Sequence, residues 1–559
     1  MKFLGKVLLT LLLVLLLVIV ALYVLLQTQW GAGWISRQIS DNSTYQLSMS
    51  KIEHNFSHPG HLLLDNVVFG RDDQPATLIA KRVDLGLSLR QFSNPLHFSS
   101  IRLNQGNLNL NHGSPPVSLQ ADRLLLSQMA LNRSQDSWSL QAQQVDGGII
   151  PWQPEAAERP DFQASFQISA GSLVLNGVPA ANALIEGNVK GREWTISNLG
   201  ADVARGSATA NAHRDADGSW QVSNLRLNSI RLQSDKTLND FLQPLLSLPE
   251  VRLDRVDVTD ARLEGRDWAV TDLDLVLKNM TLSHGDWQSD GGSLAMNASS
   301  FVNGSLQLDD PIANMDFSPK GVELSQFSSR WVNGLIRAQG SWRRSDKKLS
   351  LEEVAIAGLE YTLPSTWRER WMQTLPGWLD SVEIKRFSAS RNLIIDIDPL
   401  FPFQMTSLEG TGSSLLLARN HQWGVWAGNL SLNAAEATFN RVDLRHPSLT
   451  LAADDRQINF TEMSAFSGDG MLEGNATISQ QPDRAASFTL NGRQVAFGLL
   501  QNWGWPPLAP GKGNLQLSGK ALLQQDKPLK PTVNASLSIT SAGASTRQQM
   551  INGEVSNNP

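Results

Sequence analysis

Three histidines, His54, His58 and His61, fall within eight residues, a spacing that could hold a metal ion. A working site would need the three rings neutral, convergent and backed by second partners. The intervening Asn55-Phe56-Ser57-His58-Pro59-Gly60 reads instead as a hairpin loop, where histidines are simply solvated. Gly468, Gly470 and Gly474 imitate a dinucleotide-binding glycine set. That motif needs a helix opening within it to meet phosphate, whereas Met471 to Ile478 alternates like a strand. Asp396 and Asp398 share one face of an alternating run and resemble an acid pair. Glycoside hydrolysis needs carboxylates on opposite sides of the scissile bond, so a solvated strand face is the expectation here. No Gly-x-Ser-x-Gly elbow, phosphate-binding loop or His-Glu-x-x-His is present. No residue set therefore points to an enzyme, a cofactor or a metal.

The elements that would position any ligand begin with Val7 to Leu26, twenty residues in which only Thr10 and Tyr23 carry a polar side-chain atom. A helix of that length spans about 30 Å, the thickness of a bilayer's hydrocarbon core. Lys2 and Lys6 precede it, and the next basic residue is Arg37. Basic residues are retained on the cytoplasmic side, so the expected topology is a single pass in the cell inner membrane, N-terminus inside and the bulk exported to the periplasm. A cleaved signal peptide fits less well, because such peptides have apolar runs of about 7–15 residues followed promptly by a small-x-small site. Trp30 and Trp34 read as interfacial anchors at headgroup level.

The net charge of −6 comes without a basic stripe, which excludes nucleic-acid binding as a main role. The chain holds no cysteine, so stability must come from burial and sheet hydrogen bonds rather than disulfides. Strict alternation dominates the remainder: Leu273, Leu275 and Leu277, then Leu393, Ile395 and Ile397, then Val256 and Val258. Such runs are half-buried strands, separated by turn signals such as Asp217-Gly218, Asn491-Gly492 and Asp146-Gly147-Gly148.

A phrase of glycine, Asn or Ser, leucine, any residue, then Leu or Met recurs at Gly106, Gly171, Gly292, Gly304, Gly428 and Gly513. Its irregular spacing argues against a coiled β-helix and for successive antiparallel hairpins, each glycine turning the chain into a new strand. Helical spacing interrupts the strands at Trp34–Ile39, at Leu238–Leu245 after a cap at Asp235, around Trp367–Met372, and at Val495–Leu500. The stretch from about Lys530 is polar and expected to fray.

The anchor followed by Trp30-Gly31 and Ile35-Ser36-Arg37-Gln38-Ile39-Ser40 resembles the opening of the AsmA family. So do Leu63-Leu64-Asp65-Asn66-Val67-Val68-Phe69-Gly70 and Ala80-Lys81-Arg82-Val83-Asp84-Leu85-Gly86-Leu87. Asn198 to Gly206, Ala357 to Pro364 and Asn502-Trp503-Gly504-Trp505-Pro506 carry the resemblance across nearly the whole chain. It implies a mainly β protein: an elongated curled antiparallel sheet around an apolar groove, a few short helices and one N-terminal transmembrane helix. It also implies phospholipid handling in support of outer-membrane lipid homeostasis, with no catalytic residues to carry over. The alternative is a periplasmic scaffold or assembly factor that acts on outer-membrane proteins through envelope protein partners. One departure is the polar ending Arg547 to Pro559, which offers no module for docking at an outer membrane.

The expected organisation is a cytoplasmic N-terminus (1–6), the anchor (7–26), an N-terminal β-rich region (27–235), a central and C-terminal groove region (236–530) and a polar tail (531–559). Inward leucines of the recurring phrase would face lipid. These are Leu108, Leu110, Leu173, Leu175, Leu306, Leu308, Leu430, Leu432, Leu515 and Leu517.

Overall fold

A computed structural model describes residues 2–71, 75–110, 119–135, 138–156, 159–246, 250–524 and 528–556. Strand dominates, as the alternation predicts, and the chain forms two compact units.

The first unit holds residues 1–265 and 274–286. It opens with the helix Lys2–Leu26, whose window Leu9–Leu26 is apolar and long enough to cross a membrane. The side chains of Lys2 and Lys6 lie outside the described residues. Thr28 then starts a second helix, Gln29–Asp41, by accepting a hydrogen bond from the Gly31 N–H at 3.3 Å. Ala32 and Ser36 of this helix are buried, while Trp30 and Trp34 face outward.

Both Tyr45–Ser48 and Lys51–His54 pair antiparallel with the long strand His61–Arg71. Pairing continues through Leu78–Gly86 to Ser100–Asn109. Ser100–Asn109 then meets Leu124–Gln135 in parallel, and antiparallel pairs follow as far as Trp220–Asn228. A second parallel step joins Trp220–Asn228 to Glu250–Glu264.

The second unit holds residues 266–273 and 287–559. Its strands run antiparallel from Leu306–Ser318 to Lys348–Ala357, then step in parallel to Ser381–Asp396. Antiparallel pairing resumes with Phe403–Arg419 and continues to Glu554–Ser556.

The parallel steps depart from the expected run of hairpins. A parallel neighbour needs a crossover, and two of the expected helices sit in those crossovers: Leu238–Leu246 and Trp367–Met372. The first is capped by Thr237 rather than Asp235: the Asp240 N–H donates to Thr237 Oγ1 at 3.3 Å, and the Thr237 hydroxyl donates back to Asp240 Oδ2 at 2.8 Å. Pro244 is accommodated within it.

Most of the recurring glycines do not turn the chain. Gly106, Gly171 and Gly428 lie inside strands, as do Gly147, Gly148 and Gly492, and among the phrase glycines only Gly304 sits in a tight turn. The reason is bulging. In the first unit Asn66, Gln105, Gln128, Gln144 and Asn182 adopt positive φ within their strands, and Arg391, Ser407, Ser414, His446 and Gln494 do so in the second. A bulge bends its strand, and the neighbouring strand must then approach closely. A Cβ on Gly106 would collide with the carbonyl oxygen of Ile79, and one on Gly428 with that of Ser414.

The bending is large. Ser381–Asp396 would span roughly 50 Å if extended. Yet the helix Trp367–Met372, about 9 Å long, touches both ends of that strand's ribbon. Its Trp367 indole donates to Asp396 at 3.1 Å. Its Trp371 stacks at 5.7 Å on Trp423, which pairs with Ala418 opposite Val382 at the other end. Within this unit the ribbon therefore curls back on itself and the crossover straps its two rims.

The stretch expected to fray is structured. Asn534–Ser541, Ala544–Ile551 and Glu554–Ser556 extend the sheet, with Leu537 only 1% exposed and Met550 buried. Its outward residues are polar, and Ala535, Leu537 and Ile539 alternate inward, so average composition concealed a half-buried strand.

Candidate functional site

The histidines do not converge. His54 Nδ1 lies 2.8 Å from the Tyr23 hydroxyl, His58 Nδ1 3.0 Å from the Ser57 hydroxyl, and His61 Nδ1 2.8 Å from Asp84. No cluster able to hold a metal occurs among the described residues. Gly468 occupies a hairpin turn with φ +56°, and Gly470 starts the strand that follows it.

Asp396 corrects the expectation of a solvated acid pair. The strand ends at Asp396, so Asp398 lies beyond it, and Asp396 is 3% exposed. Asp396 accepts from Trp367 and from the Arg368 guanidinium at 3.2 Å, and its other oxygen takes the Asp398 N–H at 3.1 Å. Arg368 also pairs with Asp398. The Leu400 N–H first, and Arg368 second, hold the Asp398 carboxyl below its ordinary range. The pair is a latch that ties the strap helix to the loop before Phe403–Arg419 and leaves no free carboxylate for proton transfer.

That loop carries Phe401 into the lining of a cavity of about 350 Å³ in the second unit. Met405 and Leu408 of Phe403–Arg419 form one wall, with Leu432 and Ala434 beside them. Leu444, Leu449, Met463, Leu472 and Leu490 continue it, and Phe439 and Trp503 close it. Glycine makes the room: a Cβ on Gly410 would reach within 2.6 Å of Leu432 Cδ2, and one on Gly474 within 3.2 Å of Met463 Cε. The short helix Leu499–Asn502 pins the closing side, where the Trp503 indole donates to the Phe439 carbonyl at 3.0 Å and the Asn440 amide donates to the Asn502 carbonyl. Beneath it Leu472, Val495, Leu500, Leu515 and Leu537 form a buried core.

A wall of hydrocarbon and thioether with almost no polar lining can do one thing chemically: exclude water from another apolar group. A larger cleft on the first unit, of about 690 Å³ and lined by Asp146, Gln167, Glu186 and Asn188, mixes charged and polar groups into its lining and excludes water less completely.

Of the ten leucines named from the sequence, Leu432 is in the cavity wall. Leu515 is 3% exposed and lies in the core with Leu517 packed against it, while Leu108 and Leu173 pack against the core of the first unit. Leu110, Leu175 and Leu306 are 41%, 46% and 40% exposed, and Leu308 and Leu430 are half-buried. The sequence reading missed Phe401, Met405, Leu408, Leu449 and Met463 as site residues. Leu449 and Leu451 repeat the alternation without a leading glycine, and the choice of glycine-led leucines passed over them.

No protein-family model matches this chain. The chain is 54% identical over 556 residues to the AsmA family protein YicH of Escherichia coli (strain K12), covering 99% of this chain and 98% of that protein.

Proposed function

This chain belongs to the AsmA family, and from that premise we propose that it shelters phospholipid acyl chains in the apolar cavity of its second unit. Lys2–Leu26 holds it in the inner membrane, with the bulk of the chain periplasmic, and the outcome served is outer-membrane lipid homeostasis. The observation that carries the reading is the cavity of about 350 Å³ walled by Met405, Leu408, Leu432, Leu449 and Met463. Each methylene it takes from water contributes about 0.8 kcal/mol, so a buried stretch of ten contributes on the order of 8 kcal/mol before the cost of ordering the chain. Binding of this kind needs no specific polar contact, which fits the absence of convergent polar groups in the wall. It also needs no catalytic residue.

The test is native mass spectrometry of the full chain released from a membrane. Retained phospholipid adducts are the expected result, and a lipid-free chain under conditions that preserve other lipid adducts would count against the reading.

A further inference from the structure

We infer that Phe56, Leu89 and Phe92 enter the same bilayer leaflet in which the Lys2–Leu26 helix ends, giving the first unit a second apolar foothold. The inference rests on the reading of that helix as a membrane anchor.

The contacts set the depth. Tyr23 lies three residues before the helix end at Leu26, about 4.5 Å along the axis and inside the apolar span. Its hydroxyl is 2.8 Å from His54 Nδ1 and donates to the His54 carbonyl at 3.3 Å. Its ring lies 5.3 Å from that of Phe56. Phe56 therefore cannot touch Tyr23 without sitting at the level where hydrocarbon gives way to headgroups.

The same loop is joined to a second segment. The Leu87 N–H donates to the Gly60 carbonyl at 2.6 Å, and the one-turn helix Leu89–Phe92 follows immediately. Its start is held by the Gln91 side chain, with the Ser88 N–H donating to Gln91 Oε1 at 2.9 Å. The Gln91 side chain is thereby used within the turn while Leu89 and Phe92 are left outside it.

Exposure marks these residues out. Phe56 is 77%, Leu89 84% and Phe92 90% exposed, and among the described large apolar residues of this unit outside the anchor helix only Trp30, at 63%, is comparable. Solvent-facing aromatics of that degree, adjoining a bilayer-crossing helix, fit an interfacial surface rather than a solvated one. Arg90 stands between Leu89 and Phe92 with its side chain 69% exposed, and its guanidinium is already paired with Asp122 at 3.2 Å, so the foothold rests on the apolar side chains. The occupant is the lipid of that leaflet.

The chain has no cysteine, so single cysteines report one position each. Phe56→Cys, Phe92→Cys, Val14→Cys and Asp217→Cys would be labelled with an environment-sensitive fluorophore in the full chain and reconstituted into phosphatidylcholine vesicles. Quenching by nitroxide on the acyl chains is compared with quenching by aqueous iodide. Labels at 56 and 92 are expected to follow position 14, quenched by the lipid nitroxide and shielded from iodide, while 217 shows the opposite. A label at 56 or 92 that behaves like 217, with 14 still lipid-quenched, overturns the foothold and leaves the anchor standing. Iodide access at position 14 itself overturns both.

Discussion

Leu432→Glu places a carboxylate in the wall of the cavity without opening the core beneath it, because Leu432 is only half-buried and stands opposite Gly410 and Leu449. At about 30 Å³ for a methylene-sized group, the cavity of about 350 Å³ holds on the order of ten such groups. A charged group in this wall must keep its water, since burying it unpaired costs more than the cavity can return. Keeping it hydrated displaces the nearest methylenes, roughly three of them, for a loss of about 2.4 kcal/mol. That loss corresponds to about 50-fold weaker binding. The assay is titration of a fluorescent acyl-chain phospholipid into the full chain in a micelle-free scaffold. Leu432→Met is the control for shape, and Leu306→Glu, 40% exposed and outside the cavity wall, is the control for charge. Both controls should bind within a few-fold of the parent. Unchanged affinity for Leu432→Glu, or an equal loss in Leu306→Glu, would refute the assignment of the cavity as the lipid site.

Asn392 is fully buried, accepting from the Leu359 N–H at 2.9 Å and donating to the Leu408 carbonyl at 3.2 Å. Asn392→Leu strands both partners at about 1–3 kcal/mol each, so protease resistance of the second unit in urea should fall by the equivalent of about 2–6 kcal/mol. Leu537→Ala, at a side chain 1% exposed, should cost about 2–5 kcal/mol in the same assay, whereas a frayed tail would show no change. The Asp398 carboxyl is held below its ordinary value, so its contribution to the strap is present above the ordinary carboxylate pKa of about 3.9 and disappears as pH falls through its lower folded value. The Trp371–Trp423 contact, followed by fluorescence, should therefore persist at pH 5 and loosen only in stronger acid, while Arg368→Met should loosen it at neutral pH.

Much of this fold is legible in the sequence. Alternation at Leu273–Leu277 and Val256–Val258 identifies strands, and helical spacing at Trp34–Ile39 and Trp367–Met372 identifies the interruptions. The bulges are not legible in the same way. Gln105, Gln144 and Ser414 adopt positive φ although glycine is not required there, and the glycine that permits the close approach lies one residue later or on the next strand. A pattern of glycine before leucine therefore reads as a turn when it is a bend within a strand. Parallel pairing of Lys348–Ala357 with Ser381–Asp396 is equally hidden, because it depends on a long-range partner rather than on local period. Asp396 shows the complementary limit: alternation gives its face, and only the strap helix arriving from Trp367 decides that the face is buried.

Photo-crosslinking in living cells tests the central claim most directly. A photoreactive residue at Leu432, Leu449 or Met463, all in the cavity wall, should capture phospholipid, and one at the exposed Ser431 on the opposite face should not. Equal capture from Ser431, or none from the three wall positions in a chain that is expressed and folded, would contradict the account.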